Sequence, residues 1–423
     1  MASARHVIVA GAGIAGLTAA LALARAGLRA TVLEQAGKLE ETGAGIQLSP
    51  NATRVLIALG LRERLQSFVT TPQAIRVMAG GSGREIVRIP LGADAERRYG
   101  APYWTIHRGD LQTALASTAR NTRDIEIKLG LRVEDYAAHI NGISVLARSG
   151  TTMLDERGIA LIGADGLWSH IGAQLPGARA PQFRHRTAWR ALVPAHAMPE
   201  EFREPFVHLW LGLDAHLVHY PVKAGRLINI VAIVHDEWHE TGWSAAGARS
   251  EILRHFARWS WAEKARDLIA IPERWLKWAL YDRKTPFRGG AGAVTLIGDA
   301  AHPMLPFLAQ GAGMAIEDAA VLADMLGKYR DDPADALRAY EGARRHRTAL
   351  AQLRSRRQAR LYGMTGPEAL IRNIVMRAMG GEKLRARYDW LYDWQPPDFS
   401  AHDRDRPDAV FGDQTKYDAK YDE

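Results

Sequence analysis

Three glycines near the start of the chain, Gly11, Gly13 and Gly16, have the G-x-G-x-x-G spacing of a phosphate-binding turn. Because they lack a Cβ, they permit a tight turn, bring the backbone close to a pyrophosphate, and allow the next helix to pack on a sheet. The amino terminus of that helix would offer free N–H groups and the positive end of its dipole to the phosphates. Glu34, eighteen residues after Gly16, is placed to accept hydrogen bonds from a ribose diol. These residues predict a dinucleotide site, for either FAD or NAD.

A second group of residues distinguishes between the two cofactors. Asp299 follows a strand predicted at residues 293–297, so we expect it at the carboxyl end of that strand, where α/β sheets bind ligands. A carboxylate there can accept a hydrogen bond from the ribityl chain of a flavin. Gly311, Ala312 and Gly313 open the next helix, whose amino terminus would stabilise the negative charge that collects near N1 and O2 of a reduced flavin. Two helix amino termini directed at one extended ligand favour FAD over NAD.

His216 and Tyr220 are four residues apart in a segment that reads as a strand. In a strand they lie on one face, together with Val218, because side chains alternate. An electrophile attacks a phenol more readily when a neighbouring base withdraws the phenol proton. A histidine with an unperturbed pKa of about 6.5 can accept that proton near neutral pH. The alternative is a hydrogen-bonded histidine with a purely structural role.

The elements that must position these residues alternate between strand and helix. Residues 5–10, 14–25 and 30–33 predict a strand, a helix and a strand, which form the βαβ unit of a parallel sheet. Residues 72–105 predict hairpins, and residues 176–284 are rich in strands. Other helices are predicted at 49–65 (with Ser49 as N-cap), 110–119, 246–261, 312–326 and 333–360, and other strands at 125–129, 142–147, 159–162 and 293–297.

The sequence therefore predicts an α/β protein in which a Rossmann-like FAD-binding domain with a parallel sheet is interrupted by a mostly antiparallel β substrate domain and followed by helices. The predicted boundaries are residues 1–71, 106–175 and 285–332 for the FAD-binding domain, 72–105 and 176–284 for the substrate domain, 333–395 for the C-terminal helical segment, and 396–423 for a frayed, charged tail.

The composition limits the classes of function. The 423 residues contain no cysteine, which excludes disulfides, thiolate metal sites and a cysteine nucleophile, and we predict no metal site. The net charge of +8 favours anionic partners. Eight arginines between residues 338 and 360 accompany the single acid Glu341, and they predict a solvated helix face rather than a nucleic-acid surface. Glycines and arginines break the apolar run at 7–33, so we predict no signal peptide or membrane span and a cytoplasmic location.

Three motifs together resemble a known family. The glycine turn with Glu34, the GADG sequence at 163–166 and the GDAAHP sequence at 298–303 occur in the order and spacing of the group A FAD-dependent aromatic monooxygenases. The chain is similar to the salicylate hydroxylase, 3-hydroxybenzoate 6-hydroxylase and 6-hydroxynicotinate 3-monooxygenase branch. Further matches are GAGIQLSPNA at 43–52, HRGDL at 107–111 and HYPV at 219–222, and the resemblance covers roughly residues 5–395.

The resemblance implies a p-hydroxybenzoate hydroxylase-like fold, in a monomer or homodimer that hydroxylates a small aromatic acid with O2 through a flavin C4a-hydroperoxide. NADH or NADPH would bind transiently over the flavin, because the chain has only one G-x-G-x-x-G motif. The implied cofactor-binding residues are Gly11, Gly13, Ile14, Ala15, Gly16, Glu34, Gln35, Gly45, Arg108, Leu131, Asp165, Asp299, Gly311, Ala312, Gly313 and Met314. Among them, Arg108 would bind FAD phosphate or ribose and Leu131 would lie beside the adenine.

On the substrate side, the resemblance implies that His216 and Tyr220 line the aromatic pocket and that Pro306 lies near flavin C4a. Gln47 and Phe307 stand where relatives carry histidine or polar side chains, which argues against a pyridine substrate. Position 172 is Gly where the family motif has Arg, so the choice between NADH and NADPH stays open.

Other functions fit the same motifs. The scaffold also supports epoxidation and other flavin oxygenations, and a flavin-binding protein without catalytic activity is a further alternative. A nucleic-acid binder is the weakest candidate, since only the basic charge supports it.

Overall fold

The computed structural model describes residues 5–39, 44–140, 142–213, 215–257, 261–283 and 289–398. The strands are β1 His6–Ala10, β2 Arg29–Glu34, β3 Gly45–Leu48, β4 Ala74–Ala79, β5 Glu85–Pro90, β6 Trp104–His107, β7 Ile125–Leu129, β8 Arg132–His139, β9 Gly142–Ser149, β10 Thr152–Gly158, β11 Ala160–Gly163, β12 Gln182–Pro194, β13 Phe206–Leu211, β14 Ala215–Val222, β15 Leu227–His235, β16 Ser244–Gly247, β17 Trp275–Asp282 and β18 Val294–Leu296. The α-helices are α1 Ile14–Arg25, α2 Pro50–Ala58, α3 Arg62–Gln66, α4 Gly92–Tyr99, α5 Arg108–Arg120, α6 His170–Gln174, α7 Arg249–Phe256, α8 Glu263–Ala270, α9 Gly311–Lys328, α10 Pro333–Tyr362, α11 Gly366–Ala386 and α12 Asp389–Tyr392.

The cofactor half is built on a parallel sheet with the strand order β18-β11-β1-β2-β7. The apolar run of β1 is buried on both faces, as a parallel sheet covered by helices requires, and Val7, Ile8 and Val9 have no exposed surface. Helix α1 begins directly after the glycine turn, returns the chain to β2, and packs against α9. The predicted Rossmann-like unit is thereby confirmed.

The second large sheet has eight strands in the order β16-β17-β12-β15-β14-β13-β4-β5. Every neighbouring pair is antiparallel except β13 and β4, so the predicted mostly antiparallel sheet is confirmed. One face carries Trp189 and Trp210 into a core that α7 and α8 cover. The other face presents His216, Val218 and Tyr220 toward the cofactor half, since side chains along β14 alternate.

Two predicted helices are wrong in extent. The helix expected at 49–65 is two helices, α2 and α3, because Gly60 adopts a left-handed φ of 76° after α2. Ser49 precedes α2, but its hydroxyl donates to Asn51 instead of capping the helix. In the segment expected to be helical from 246, Ser244–Gly247 pairs as an edge strand with β17 and α7 begins only at Arg249. Residues 258–260 lie outside the described residues.

Several elements lack a strong sequence pattern and were not predicted. Among them are helix α4, helix α8 and the outer strands β8 and β10 of a three-stranded antiparallel sheet. Strand β10 is mostly polar and partly exposed, so it has no apolar alternation to reveal it. Most of the tail predicted at 396–423 falls outside the described residues.

The arginine-rich helix α10 differs from its predicted role as a solvated face. Arg344 is buried and pairs with Glu317 and Asp318 of α9, and Arg347 also pairs with Glu317. The exposed-face prediction is wrong for these two arginines, because α10 packs on α9 along this side. Within the described ranges, no helix combines the length and apolarity needed to cross a bilayer.

Candidate active site

The predicted cofactor residues meet at one edge of the parallel sheet. Strands β1, β2, β11 and β18 run parallel and therefore end at the same edge. The residues at or just beyond those ends include Gly11, Glu34, Asp165 and Asp299. The edge where α/β sheets bind ligands thus collects the four predicted segments, which are far apart in sequence.

The glycine turn leaves open space at only one of its three positions. A Cβ on Gly11 would lie 2.5 Å from the carbonyl oxygen of Ala164, and one on Gly16 would lie 1.9 Å from that of Gly11. These two glycines are required by the packing of the turn, and Gly11 also has a φ of 107°. A Cβ on Gly13 would meet no protein atom within 4 Å. The free space at the amino terminus of α1 fits a phosphate group of FAD.

The carboxylate of Glu34 stabilises this turn. Its two oxygens accept hydrogen bonds from the backbone N–H groups of Ala12 (2.7 Å) and Ala36 (2.9 Å). The backbone N–H of Leu131 donates to the Glu34 carbonyl at 2.8 Å, which brings Leu131 beside Glu34. Contact of Leu131 with an adenine stays a prediction. Gln35 is exposed next to them. Contact of Glu34 with a ribose remains a prediction.

The flavin end of the site lies where the two long helices begin. A Cβ on Gly298 would lie 3.0 Å from Cβ of Ala15 in α1 and 3.2 Å from Cβ of Ala315 in α9, so both helices start beside this glycine. Asp299 comes next and projects, exposed, toward Gly311. Desolvation by the surrounding protein raises the pKa of Asp299, although the charges of His302 and Arg108 act to lower this pKa. The charges of Arg108 and Asp299 each affect the pKa of the other group, so the two side chains lie near each other.

The position where the family motif has arginine is tightly packed by neighbouring side chains. A Cβ on Gly172 would lie 2.9 Å from Oγ of Ser169, which itself donates to Asp165 at 2.6 Å. Asp165 also accepts a hydrogen bond from the backbone N–H of Ile171 at 3.1 Å. A different arginine approaches from the end of β17: Arg283 donates to the carbonyl oxygens of Leu167 and Ala300 and so joins the loops after β11 and β18.

All of the predicted substrate residues except Tyr220 line a cavity of about 960 Å³ between the eight-stranded sheet and the C-terminal helices. Gln47, His216, Pro306 and Phe307 all lie in its wall. The His216 ring contacts the rings of Phe307 and Tyr362, with centroid distances of 5.1 and 5.2 Å. Burial, assisted by the charge of Arg186, lowers the pKa of His216 to about 3. The imidazole is therefore neutral at pH 7, and it is a weaker base than its reference pKa implied.

Tyr220 lies beside the cavity and contacts its wall through Gln47. Gln47 accepts a hydrogen bond from the hydroxyl of Tyr103 at 2.7 Å and also bonds with Tyr220. Burial raises the pKa of both tyrosines, so both hydroxyls stay protonated. Gly45 packs against this group: a Cβ there would lie 2.9 Å from Cε2 of Tyr220. The cofactor-side segment that contains Gly45 and Gln47 thus touches the substrate sheet directly.

Sequence reasoning missed several residues of this site, chiefly Tyr103, Tyr362 and Arg190. Arg190 is on β12, opposite Val231, which is in turn opposite Val218, so all three side chains share the site-facing surface. Its guanidinium lies 5.1 Å from the Trp278 ring, and burial lowers its pKa. The only available signal was a charged residue inside the apolar strand sequence AWRALV. Tyr103 and Tyr362 gave no local signal.

The chain matches a known family over most of its length. The model of the FAD binding domain family matches residues 4–355. The chain is 37% identical to 3-hydroxybenzoate 6-hydroxylase 1 of Aquipseudomonas alcaligenes over 388 residues, which cover 92% of this chain and 97% of the relative. It is also 37% identical to 3-amino-4-hydroxybenzoate 2-monooxygenase of Streptomyces cremeus, over 92% of this chain and 94% of the relative.

Solved structures have the same fold. A salicylate hydroxylase in complex with its substrate superposes with a TM-score of 0.79 at 27% identity, covering 95% of this chain and 98% of the other. Klebsiella pneumoniae HpxO with FAD and uric acid gives a TM-score of 0.78 at 26% identity, covering 90% and 95%. These relationships confirm the sequence resemblance and the choice of FAD over NAD as bound cofactor. The chain belongs to the FAD-binding domain family and is an FAD-dependent monooxygenase.

Proposed function

We propose that the protein hydroxylates a small, hydroxylated aromatic carboxylic acid, with FAD as cofactor, NADH or NADPH as transient co-substrate, and O2. The observation that carries this proposal is the chemistry of the cavity wall. The wall contains the His216, Phe307 and Tyr362 rings, which contact one another, and Pro306, and this group suits an aromatic ring. The rest of the wall is mainly apolar but also cationic, which suits an acid.

The positive charge of the cavity is largely uncompensated by the described residues. Arg354, Arg357, Arg372 and Arg387 line the wall, and none of them forms an ion pair within the described part of the chain. Glu368 is the only carboxylate among the lining residues. A cleft lined by one sign of charge concentrates ligands of the opposite sign. A carboxylate-bearing aromatic compound therefore fits better than a neutral one.

FAD and different parts of the site have different roles in the reaction. When bound, FAD supplies the redox chemistry by accepting reducing equivalents from NADH or NADPH and passing them to O2. The amino terminus of α9 presents its N–H groups to developing negative charge beside Asp299. Neutral His216 accepts the hydrogen bond of a substrate hydroxyl and draws electron density toward the ring. The buried aromatic wall excludes water from the reacting positions.

The relatives support the substrate class by their names, which describe hydroxylation of hydroxybenzoates and of an amino-hydroxybenzoate. A monomer or homodimer and a cytoplasmic location remain proposals drawn from the sequence.

The test is a screen of monohydroxylated benzoates for stimulation of NADH and NADPH oxidation, with the product identified by mass. We expect at least one acid to stimulate oxidation and to gain one oxygen atom on its ring. An epoxidised product would favour the alternative flavin oxygenation. Yellow protein that no NADH or NADPH reduces with any of these acids would favour a non-catalytic flavin-binding protein.

A further inference from the structure

We propose that Arg372 binds the carboxylate of the aromatic acid and so fixes which part of the ring reaches His216. This inference rests on the proposed function and deepens it, since it assigns the recognition of the acid group to one residue of α11.

Arg372 is held in the cavity wall by hydrogen bonds that leave part of its guanidinium free. The side chain lines the cavity and only 6% of the residue is exposed. Nε donates to Oδ1 of Asn373 at 3.0 Å, and Nη1 donates to the carbonyl oxygens of Leu361 at 3.0 Å and Tyr362 at 3.3 Å. Nη2 donates to no residue of the described chain. Its two N–H groups are therefore available to a ligand in the cavity.

The guanidinium also lacks a counter-charge. Burial lowers the pKa of Arg372, yet an arginine stays protonated at neutral pH, so the cavity wall holds a buried positive charge. No carboxylate of the described chain forms an ion pair with it. A buried charge without a partner is unfavourable, and a carboxylate ligand would remove this cost through charge-assisted hydrogen bonds.

Arg385 shows what Arg372 is missing. It belongs to the same helix, lines the same cavity and is 5% exposed, but its Nη2 pairs with Glu382 at 2.5 Å. The charge of Arg385 is satisfied within the helix, whereas that of Arg372 is not. The cavity arginines Arg357 and Arg387 are exposed, so water competes for their donors.

The position of Arg372 suits a ligand that also reaches His216. Tyr362 connects the two: its ring contacts the His216 ring at 5.2 Å, and its carbonyl oxygen accepts the Arg372 hydrogen bond. A hydroxylated aromatic acid in this end of the cavity would place its hydroxyl at His216 and its carboxylate at Arg372. The ring would then lie among Tyr362, Phe307 and Met376, which are all buried.

The experiment compares each active hydroxybenzoate with its carboxamide analogue in wild type, R372Q and R377Q. Arg377 is exposed on the same helix and outside the cavity, so R377Q controls for loss of a helix charge. We expect R372Q to raise KM for the acid roughly 10- to 100-fold, the size expected for a lost charged hydrogen bond, and to change KM for the amide little. R377Q is expected to affect neither. An equal loss for acid and amide would show that Arg372 only supports the fold, and would overturn the proposal.

A binding measurement separates this proposal from the proposed function. Benzoate binding, followed through the flavin absorbance of the purified holoenzyme, requires no turnover. R372Q is expected to weaken benzoate binding by a similar factor, and R372K by less, because lysine keeps the charge but not the forked geometry. Should R372Q fail to fold, R372K carries the comparison. Equal benzoate affinity in the variant and wild type overturns the role of Arg372, whereas a wild type that hydroxylates no acid contradicts the proposed function instead.

Discussion

Nε2 of His302 lies 2.5 Å from Oδ2 of Asp318, and both side chains are buried beneath the cofactor site. The same carboxylate accepts hydrogen bonds from the backbone N–H of Gly298 at 2.9 Å and from Nε of Arg344 at 2.7 Å. Burial alone would raise the pKa of Asp318, but the charges of His302 and Arg344 outweigh it and lower the pKa to about 2. Asp318 of α9 thus connects the turn that contains Gly298 and Asp299 with Arg344 of α10.

Removing this carboxylate is expected to destabilise the protein strongly. Asp318→Ala removes the carboxylate that His302 contacts and one of the two carboxylates that pair with the buried Arg344, and breaking a buried pair costs about 3–5 kcal/mol. Urea unfolding of the variant and of wild type measures the loss. Asp94→Ala, which removes a carboxylate from an exposed pair with Arg97, is the control and is expected to cost no more than about 1 kcal/mol. Similar losses in both variants would contradict the structural role of Asp318.

Two alanine substitutions in the glycine turn are expected to have different consequences. Gly16→Ala places a Cβ 1.9 Å from the carbonyl oxygen of Gly11, so it forces the turn apart and is expected to cost more than about 2 kcal/mol of stability. Gly13→Ala meets no protein atom within 4 Å, and its φ of −73° is accessible to alanine. This variant is expected to fold but to bind FAD at least about tenfold more weakly, because its methyl group takes phosphate space.

Thermal unfolding of the apoproteins and FAD titration by flavin fluorescence measure these two effects separately. A Gly13→Ala variant with wild-type FAD affinity would mean that the phosphate does not approach the turn there.

His216→Ala is expected to lower hydroxylation by about 100-fold while leaving FAD content nearly unchanged, because the imidazole contacts the cavity and not the cofactor turn. Product formation and flavin absorbance measure the two quantities. Since burial lowers the pKa of His216 to about 3, its protonation is not expected to produce an acidic limb near pH 6.5 in kcat/KM. An acidic limb near pH 6.5 that disappears in His216→Gln would contradict the neutral, buried state of this residue.

The stacked pair of His208 and His219 is expected to make the fold acid-sensitive. Their rings lie 4.4 Å apart and nearly parallel in a buried position. Burial, with Arg76 adding to it, lowers the pKa of His208 to about 3, and burial together with His208 lowers the pKa of His219 well below 6.5. Between pH 6.5 and about 3 the unfolded chain therefore binds more protons than the folded one. The free energy of unfolding decreases as the pH is lowered, by up to about 1.4 kcal/mol per pH unit for each histidine.

Urea unfolding between pH 7 and pH 4 tests this acid sensitivity. His219→Phe is expected to reduce the slope of the free energy of unfolding against pH by the contribution of one histidine. His196→Gln changes an exposed residue and is expected to leave this slope unchanged. An unaltered slope in His219→Phe would show that the folded and unfolded states protonate this ring over the same pH range, which contradicts a lowered pKa.

The sequence by itself determined the cofactor half of the molecule. The elements around Gly11 and Asp299 are local: a strand, a turn and a helix follow one another within one short segment, and their periodicity and glycine spacing predict both structure and ligand. The edge at which the segments meet also followed, because the ends of parallel strands share one side of the sheet. The p-hydroxybenzoate hydroxylase-like fold class was predicted from the resemblance of three motifs to a known family.

Only the tertiary structure decided the substrate half and the charges inside it. His216 lies on a strand that is far in sequence from the two helices that carry Tyr362 and Arg372, so no local pattern reports that the three share one cavity. The arginines of α10 and α11 are exposed or buried according to the surface that each turn of the helix packs against, as Arg344 demonstrates. Burial also moved the pKa of His216 far from its reference value. The physical reason is that desolvation depends on every atom around a group, and those neighbours are fixed only when the chain has folded.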